Sequence, residues 1–222
     1  GRFPFSKGCF VNGVLPDHAL RQLIEAGSIS AERPILPEQI QPASLDLRLG
    51  TTAWRLRASF LAGRGRKVSE RLADFEMHRM DLTHGAVLEK GCVYLVPLAE
   101  RISLPQGVEG VANAKSSTGR LDLLTRLVTD DGTEFDRLPE GYDGPLYMEV
   151  APQTFSILVR PGTRLNQLRL KAGEPPKLET RSVGVDLQSG EIVGFRAGWG
   201  LGNALFIATS LAVIVASASG GF

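Results

Sequence analysis

The chain has 222 residues, 43% hydrophobic and 22% charged, the proportions of a globular protein long enough to bury one good core. A formal net charge of +1 argues against bulk binding of DNA or RNA, which shows as a strong basic excess, but leaves room for one local anion site. Cys9 and Cys92 have no second cysteine or histidine at metal-ligand spacing, so a reducing cytoplasm is a simpler setting than a structural disulfide.

The opening Gly1-Arg2-Phe3-Pro4-Phe5 lacks the sustained apolar core of a secretory signal, and residues 1–13 read as an N-terminal extension. Pro16-Asp17 followed by His18–Ala26 reads as a short helix. Leu15, Leu20, Leu23 and Ile24 recur at helical spacing, Pro16 and Asp17 suit its start, and Gly27 suits its end. This is the one helix with a clear signal.

Beyond it, short runs rich in Val, Leu and Ile alternate with turn residues. The strands expected are Ser44–Leu49, Cys92–Pro97, Gly107–Ala112, Leu146–Val150, Phe155–Val159 and Arg164–Leu170. Pro105-Gln106-Gly107, Asp131-Gly132, Tyr142-Asp143-Gly144 and Pro161-Gly162 mark turns. Many short strands without βαβ alternation predict a mainly β sandwich or barrel over residues 14–176.

Lys171–Lys177 reads as a strand exit or linker, and residues 177–222 as a separate unit. From Ala197 to Phe222 no residue is charged, and Leu201–Ala218 is mostly apolar. This stretch is a buried element of a further subdomain or an altered ending, in preference to a membrane anchor, because Gly, Asn, Thr and Ser interrupt it and no Lys or Arg follows.

Three stretches can carry chemistry. Ala114-Lys115-Ser116-Ser117-Thr118-Gly119-Arg120 gathers two cations, three hydroxyls and a glycine directly after an apolar strand. Phosphate recognition uses such parts, namely N–H groups on a tight turn, hydroxyl donors and charge-assisted bonds from Lys or Arg. The order is not that of a P-loop, and a solvated turn with a helical cap is the alternative. Tyr147-Met148-Glu149-Val150 puts a carboxylate in an apolar strand, with Tyr147 and Glu149 on one face and Met148 and Val150 on the other. Glu149 either points at solvent or sits in a pocket, where its pKa rises toward general acid/base work. Asp46, between two leucines, is an exposed strand residue, an orienter of a neighbouring loop, or a water-mediated holder of Mg²⁺. His18, His78 and His84 are scattered, and the H-x-E and P-C-x-x-C signatures of zinc-dependent base deaminases are absent from the sequence.

In order and content these segments resemble the dCTP deaminase family, over about Leu15 to Leu170. Gln41–Gly50 is similar to its N-P-x-S-x-D-L-R-L-G block, and Lys115–Leu123 to its [RK]-S-S-x-x-R-L-G-L block. Gly144–Val150 is similar to its G-x-x-x-L-E-[FV] strand, and Arg160–Leu168 to its R-P-G-x-x-I-x-Q-L block. The resemblance implies a dUTP pyrophosphatase-like distorted β-barrel or jelly roll with a short N-terminal helix. It implies zinc-independent hydrolytic deamination of dCTP to dUTP and ammonia in the cytoplasm. Glu149 falls at the general base that activates water toward C4 of cytosine, with Ser116 and Arg120 beside it in catalysis. Lys115, Ser117, Thr118, Gly119, Arg137, Tyr147, Met148 and Gln167 fall among the substrate contacts. Mg²⁺ is expected with the triphosphate, with no directly ligating residue, and so is a homo-oligomer, trimeric or pseudo-trimeric, with pockets shared between subunits. Neither a nucleic-acid nor a membrane partner is expected.

Three departures stand out. Asp130-Asp131-Gly132-Thr133-Glu134 lengthens Thr129–Gly144 and brings three acids toward the expected nucleotide site. Pro139-Glu140 replaces an I-D-P, and Arg181–Arg196 resembles the linker to a second, homologous half found in a longer branch of the family. The rival readings are a dUTP pyrophosphatase, for which Asp136 to Tyr142 is a poor hairpin match, a bifunctional dCTP-to-dUMP enzyme, and a non-catalytic nucleotide-binding subunit.

Overall fold

The computed structural model describes residues 13–173. They lie within one compact unit, Gly1–Pro176. Cys9, the linker from residue 174 onward, Arg181–Arg196 and the uncharged tail fall outside the described residues.

In chain order come β1 (Gly13–Val14), α1 (Asp17–Glu25), β2 (Ile29–Ala31), a 3₁₀ turn (Pro37–Gln39), β3 (Ile40–Gln41), β4 (Ser44–Arg48) and β5 (Thr52–Leu56). Next are α2 (Val68–Phe75), β6 (Glu76–Asp81), β7 (Ala86–Leu88), β8 (Val93–Ser103), β9 (Val108–Ala114), α3 (Ser116–Arg120) and β10 (Leu123–Thr129). The last are β11 (Arg137–Leu138), β12 (Asp143–Pro152), β13 (Ile157–Val159) and β14 (Arg164–Ala172). One six-stranded sheet runs β11-β9-β14-β4-β3, with β1 on β14; a second runs β10-β12-β8-β5-β6, with β2 on β8; β13 pairs with β7. The mainly β expectation holds, and the strands form two open sheets and a strand pair.

Both sheets contribute to one apolar core. Leu45, Leu47 and Leu168 from the first meet Val96, Leu127, Met148 and Val150 from the second. Helix α1 follows the predicted pattern: Ala19, Leu20 and Leu23 are buried, and the chain leaves it through Gly27 at φ +77, a left-handed turn that glycine makes at no steric cost.

Two further helices, α2 and α3, join the one with a clear sequence signal. In α2 the apolar residues Val68, Leu72 and Phe75 recur at i, i+4 and i+7 in a stretch otherwise dominated by charge. With Phe60 and Ala62 of the preceding loop, Val68 and Leu72 pack on Leu95 and Val128, making a second, smaller core on the outer face of the second sheet. Helix α3 is only five residues long, too short to show a period. Strand β13 starts at Ile157, two residues later than predicted, and Phe155 is exposed.

Strand β4 is buried along its whole length although every second residue is polar. Its polar side is neutralised by a network. Glu100 accepts from Arg48 Nε at 2.7 Å and from Gln39 Nε2 at 2.9 Å, and Gln39 also donates to the Asp46 carbonyl. Arg48 spends its two remaining nitrogens on the carbonyls of Pro34 and Arg33. A buried ion pair needs this degree of satisfaction to offset its desolvation. It also fixes the strand that carries Asp46.

Candidate active site

Strand β12 sets Glu149 between two neighbours in register, Arg126 of β10 and Leu95 of β8. Alternation works as expected here. Met148 and Val150 enter the main core, while Tyr147 borders the smaller core beneath α2. Glu149 lies on that outer side and is 2% exposed. The loop between β5 and α2 lies over it, and Ser59 Oγ donates to Glu149 Oε2 at 2.5 Å. Arg126 Nε lies 3.8 Å from Oε1. Burial pushes the Glu149 carboxyl above its ordinary value; the Ser59 hydrogen bond and the Arg126 charge oppose that rise, and Asp136 adds to it. Of the two alternatives for this carboxylate, the structure takes the pocket.

The serine-rich stretch is the short helix α3, with Lys115 at its N-cap. Lys115 Nζ pairs with Oδ2 of Asp46, which is 1% exposed. Asp46 is therefore neither an exposed strand residue nor open to solvent; it anchors the entry to the serine helix. Its Oδ1 has no hydrogen-bond partner. Thr118 is buried, and its hydroxyl donates to the Leu165 carbonyl at 2.7 Å. The hydroxyl thus holds α3 onto β14. Ser116, Ser117, Gly119 and Arg120 are exposed. Gln167 lies opposite Asp46 in the ladder and accepts from Ser44 Oγ at 3.1 Å.

Within one chain these parts form two places, not one. The residue of β10 that faces Glu149 is Arg126, six positions beyond Arg120 at the end of α3. Among the described residues, no hydrogen bond or ion pair joins Glu149 to Lys115–Arg120; the partners of Glu149 are Ser59 and Arg126. Met148 is fully buried on the opposite face from Glu149, so its side chain is a core residue and not a substrate contact. Arg137 is exposed, 3.7 Å from Glu134, on a hollow of about 490 Å³ that Arg64 and Thr133 also line.

Of the three acids that lengthen Thr129–Gly144, Glu134 lies 3.7 Å from Arg137 and the other two bind backbone N–H groups. Asp130 Oδ1 accepts from the Val68 N–H at 2.8 Å, at the first turn of α2, and Asp131 Oδ1 accepts from the Gly65 N–H at 2.7 Å. Backbone bonds from Gly63 to the Gly132 carbonyl and from Asp131 to the Arg66 carbonyl complete a bracket around Gly63–Val68. A Cβ on Gly132 would stand 2.7 Å from Thr129 Oγ1 and 2.9 Å from its carbonyl oxygen, so only glycine fits there. Asp131 and Asp136 take positive φ values of 58° and 63°, a region Asp tolerates better than most residues. Tyr142 is 7% exposed, donates to the Pro145 carbonyl at 2.7 Å and accepts from the Asp130 N–H. Its ring and hydroxyl are thus used inside the fold, unlike a tyrosine presented by a pyrophosphatase hairpin.

Ser59, Arg126 and Asp136 had no local signal as site residues. Ser59 lies in a loop, and Arg126 is one polar residue in an alternating strand. Asp136 is half-buried, accepts from the Leu127 N–H at 2.7 Å and gives its carbonyl to the Ala112 N–H, linking β10 to β9. Among the described residues no group of three or more His, Cys, Asp or Glu side chains is placed to hold a metal ion. No helix among them is long and apolar enough to cross a membrane.

Comparison with known proteins agrees with the order of these blocks. Residues 11–174 match the family described as the 2'-deoxycytidine 5'-triphosphate deaminase (DCD) N-terminal domain. The crystal structure of 2'-deoxycytidine 5'-triphosphate deaminase from Agrobacterium tumefaciens is similar at a TM-score of 0.72 and 51% identity, covering 74% of this chain and 49% of that one. The chain thus spans about half the length of that protein. The "dCTP deaminase, dUMP-forming" of Corynebacterium glutamicum (strain R) is 29% identical over 161 residues, 71% of this chain and 79% of the relative. A stretch of 31 residues, 14% of the chain, is 68% identical to 8% of the multidrug efflux protein YfmO of Bacillus subtilis (strain 168), too short a match to imply an activity.

Proposed function

The chain belongs to the 2'-deoxycytidine 5'-triphosphate deaminase family through its N-terminal domain, and on that premise we propose that it deaminates dCTP by hydrolysis, with Glu149 as general base. The observation that carries this reading is a mid-strand carboxylate, 2% exposed, whose proton affinity is raised by burial. Such a group can take a proton from water near neutral pH and give it back. The water oxygen bonds to C4 of cytosine while Glu149 takes its proton. That proton passes to ring N3; the hydroxyl proton of the adduct then passes by way of Glu149 to the amino nitrogen, the C4–N bond breaks as C4=O forms, and ammonia leaves a uracil nucleotide.

The exposed Ser116, Ser117 and Arg120, with Lys115 at the helix entry, suit the triphosphate and the water. Their separation from Glu149 within one chain supports a site completed by another copy, the serine helix of one subunit meeting Glu149 of its neighbour in a trimer or pseudo-trimer. Zinc has no role in this scheme. Mg²⁺ would accompany the triphosphate and offset its charge. The ion would be left to the nucleotide, because Asp46 Oδ1 is closed off from solvent and Oδ2 is paired with Lys115.

A second reading, release of dUMP from dCTP, is favoured by the similarity to the dUMP-forming dCTP deaminase of Corynebacterium glutamicum. One assay separates the readings: ammonia and pyrophosphate released from dCTP, CTP and dUTP by the purified chain, alongside its mass in solution. Ammonia alone from dCTP supports deamination to dUTP, and ammonia with pyrophosphate supports the bifunctional enzyme. Pyrophosphate from dUTP without ammonia from dCTP overturns both. Binding of dCTP without turnover marks a non-catalytic subunit.

A further inference from the structure

The two oxygens of Glu149 are held by different kinds of partner. Oε2 accepts from Ser59, which is exposed and sits on the loop between β5 and α2. Oε1 faces Arg126, which is carried by the adjacent strand directly across the ladder. The Arg126 guanidinium lies 4.7 Å from the centre of the Phe135 ring, so its plane is set by stacking as well as by the strand. The groups around Glu149 are Ser59 from the loop, Arg126 from β10, Leu95 from β8, Tyr147 on its own strand and the carboxyl of Asp136 before β11. Arg126 also acts on Asp136, so one cation serves two carboxyls whose mutual repulsion would otherwise grow.

We propose that Arg126 is the positioning residue of the base: it fixes Oε1 by charge and leaves Oε2, whose loop-borne partner can move, as the oxygen that exchanges the proton. A guanidinium suits this task because it stays charged throughout the working pH range, and its stacked plane resists rotation. Without it, Glu149 would keep the Ser59 hydroxyl and lose its counter-charge, in a buried setting that favours the neutral acid.

The proposal rests on Glu149 being the base, and its test separates the two ideas. The full chain is labelled with ¹³C at the glutamate carboxyls, and the Glu149 resonance is assigned by its loss in Glu149→Gln. In Arg126→Gln the Glu149 titration midpoint should rise by about one unit, the low end of the effect of a nearby opposite charge. The acid limb of kcat/KM for dCTP should rise with it, with KM within a few-fold, and Arg126→Lys should restore part of both. Arg126→Met, which keeps an aliphatic stem against Phe135, serves as the probe if the amide variant does not fold. An unchanged midpoint in the folded variant overturns the proposal. Absence of ammonia release from wild type, or retained turnover in Glu149→Gln, would sink the base and leave the titration to decide Arg126.

Discussion

Lys115 Nζ is ion-paired with Asp46 Oδ2, a carboxylate 1% exposed, and the pair ties strand β4 to the residue that opens the serine helix. Asp46→Asn keeps the shape but leaves Lys115 without its counter-charge. Breaking a buried pair costs about 3–5 kcal/mol; Lys115 keeps some access to water, so we expect a smaller loss, about 1–3 kcal/mol. The start of the helix should also loosen. Denaturant unfolding should show the loss, and calorimetry should show dCTP binding weakened about tenfold, the equivalent of one such misplaced contact. Stability and affinity both unchanged would remove Asp46 from this role.

Glu149→Gln preserves size, burial and an acceptor for the Ser59 hydroxyl, and removes only the basic oxygen. Ammonia release from dCTP should fall by about 10²–10⁴, the usual worth of a general base. Affinity for the triphosphate should stay within a few-fold, because the exposed cations and hydroxyls of Lys115–Arg120 belong to another strand and helix. Single-turnover ammonia release and calorimetric dCTP binding on the same sample check both halves.

The alternation of Tyr147-Met148-Glu149-Val150 was legible in the sequence, because a strand with one face in a core has a period of two whatever covers its other face. What covers that other face was not. Helix α2 is short and rich in charge, and its apolar residues acquire meaning only against Leu95 and Val128 of the sheet. The acids Asp130 and Asp131 could be recognised as unusual, but not as caps, since Val68 and Gly65 lie 62 and 66 residues away in sequence. Thr118 and Ser117 are adjacent hydroxyls in one motif, and only the path of β14 decides that the first is spent on Leu165.

The pH dependence follows from burial. Glu149 and Asp136 both hold their protons more tightly in the fold than in the unfolded chain, chiefly through desolvation. For a raised carboxyl the folded state binds more protons. Its contribution to stability is therefore fully present below the ordinary carboxylate value and is lost as pH rises through the folded value. Glu149→Gln cannot ionise, so it should melt higher than wild type at pH 8, and the gap should close as pH falls below the ordinary carboxylate range. Thermal melts of both proteins across pH test this. A variant that melts lower than wild type at every pH would show that ionised Glu149 is not a cost to the fold. In catalysis the same shift requires kcat/KM to fall on acidification at a pH above that range.

Asp130 and Asp131 should act on the site from a distance. Each accepts a backbone N–H of the segment that leads into α2, and Asp130 does so at the first turn of the helix, where a carboxylate also meets the positive end of the helix dipole. Replacing a cap by alanine costs about 0.5–2 kcal/mol. The double change Asp130→Ala with Asp131→Ala should raise hydrogen exchange over residues 57–75 and lower ammonia release, since the Ser59 loop is joined to the bracketed turn. Exchange elsewhere, including β4 and β14, should be unaffected. A rise spread evenly over the chain would mean that the bracket is part of the global fold.

Thr118 and Ser117 divide two tasks between adjacent hydroxyls. They are neighbours on a five-residue helix, one buried and one exposed. The Thr118 hydroxyl donates to the Leu165 carbonyl, and that bond fastens the helix to the strand carrying Gln167. Thr118→Val keeps the shape and removes one hydrogen bond to the Leu165 carbonyl, which still accepts from the Lys115 N–H, so the loss should be about 0.5–1.5 kcal/mol. The exposed donors stay in place, so dCTP affinity of the folded variant should change little. Ser117→Ala should do the reverse: its hydroxyl is at the surface, its removal should leave the melting temperature within a degree or two, as for most surface changes, and dCTP binding should weaken. Thermal melts paired with calorimetric titration of dCTP distinguish the two. If Thr118→Val instead weakens binding while the melt is unmoved, its hydroxyl turns toward the nucleotide and the anchor to Leu165 is not its role.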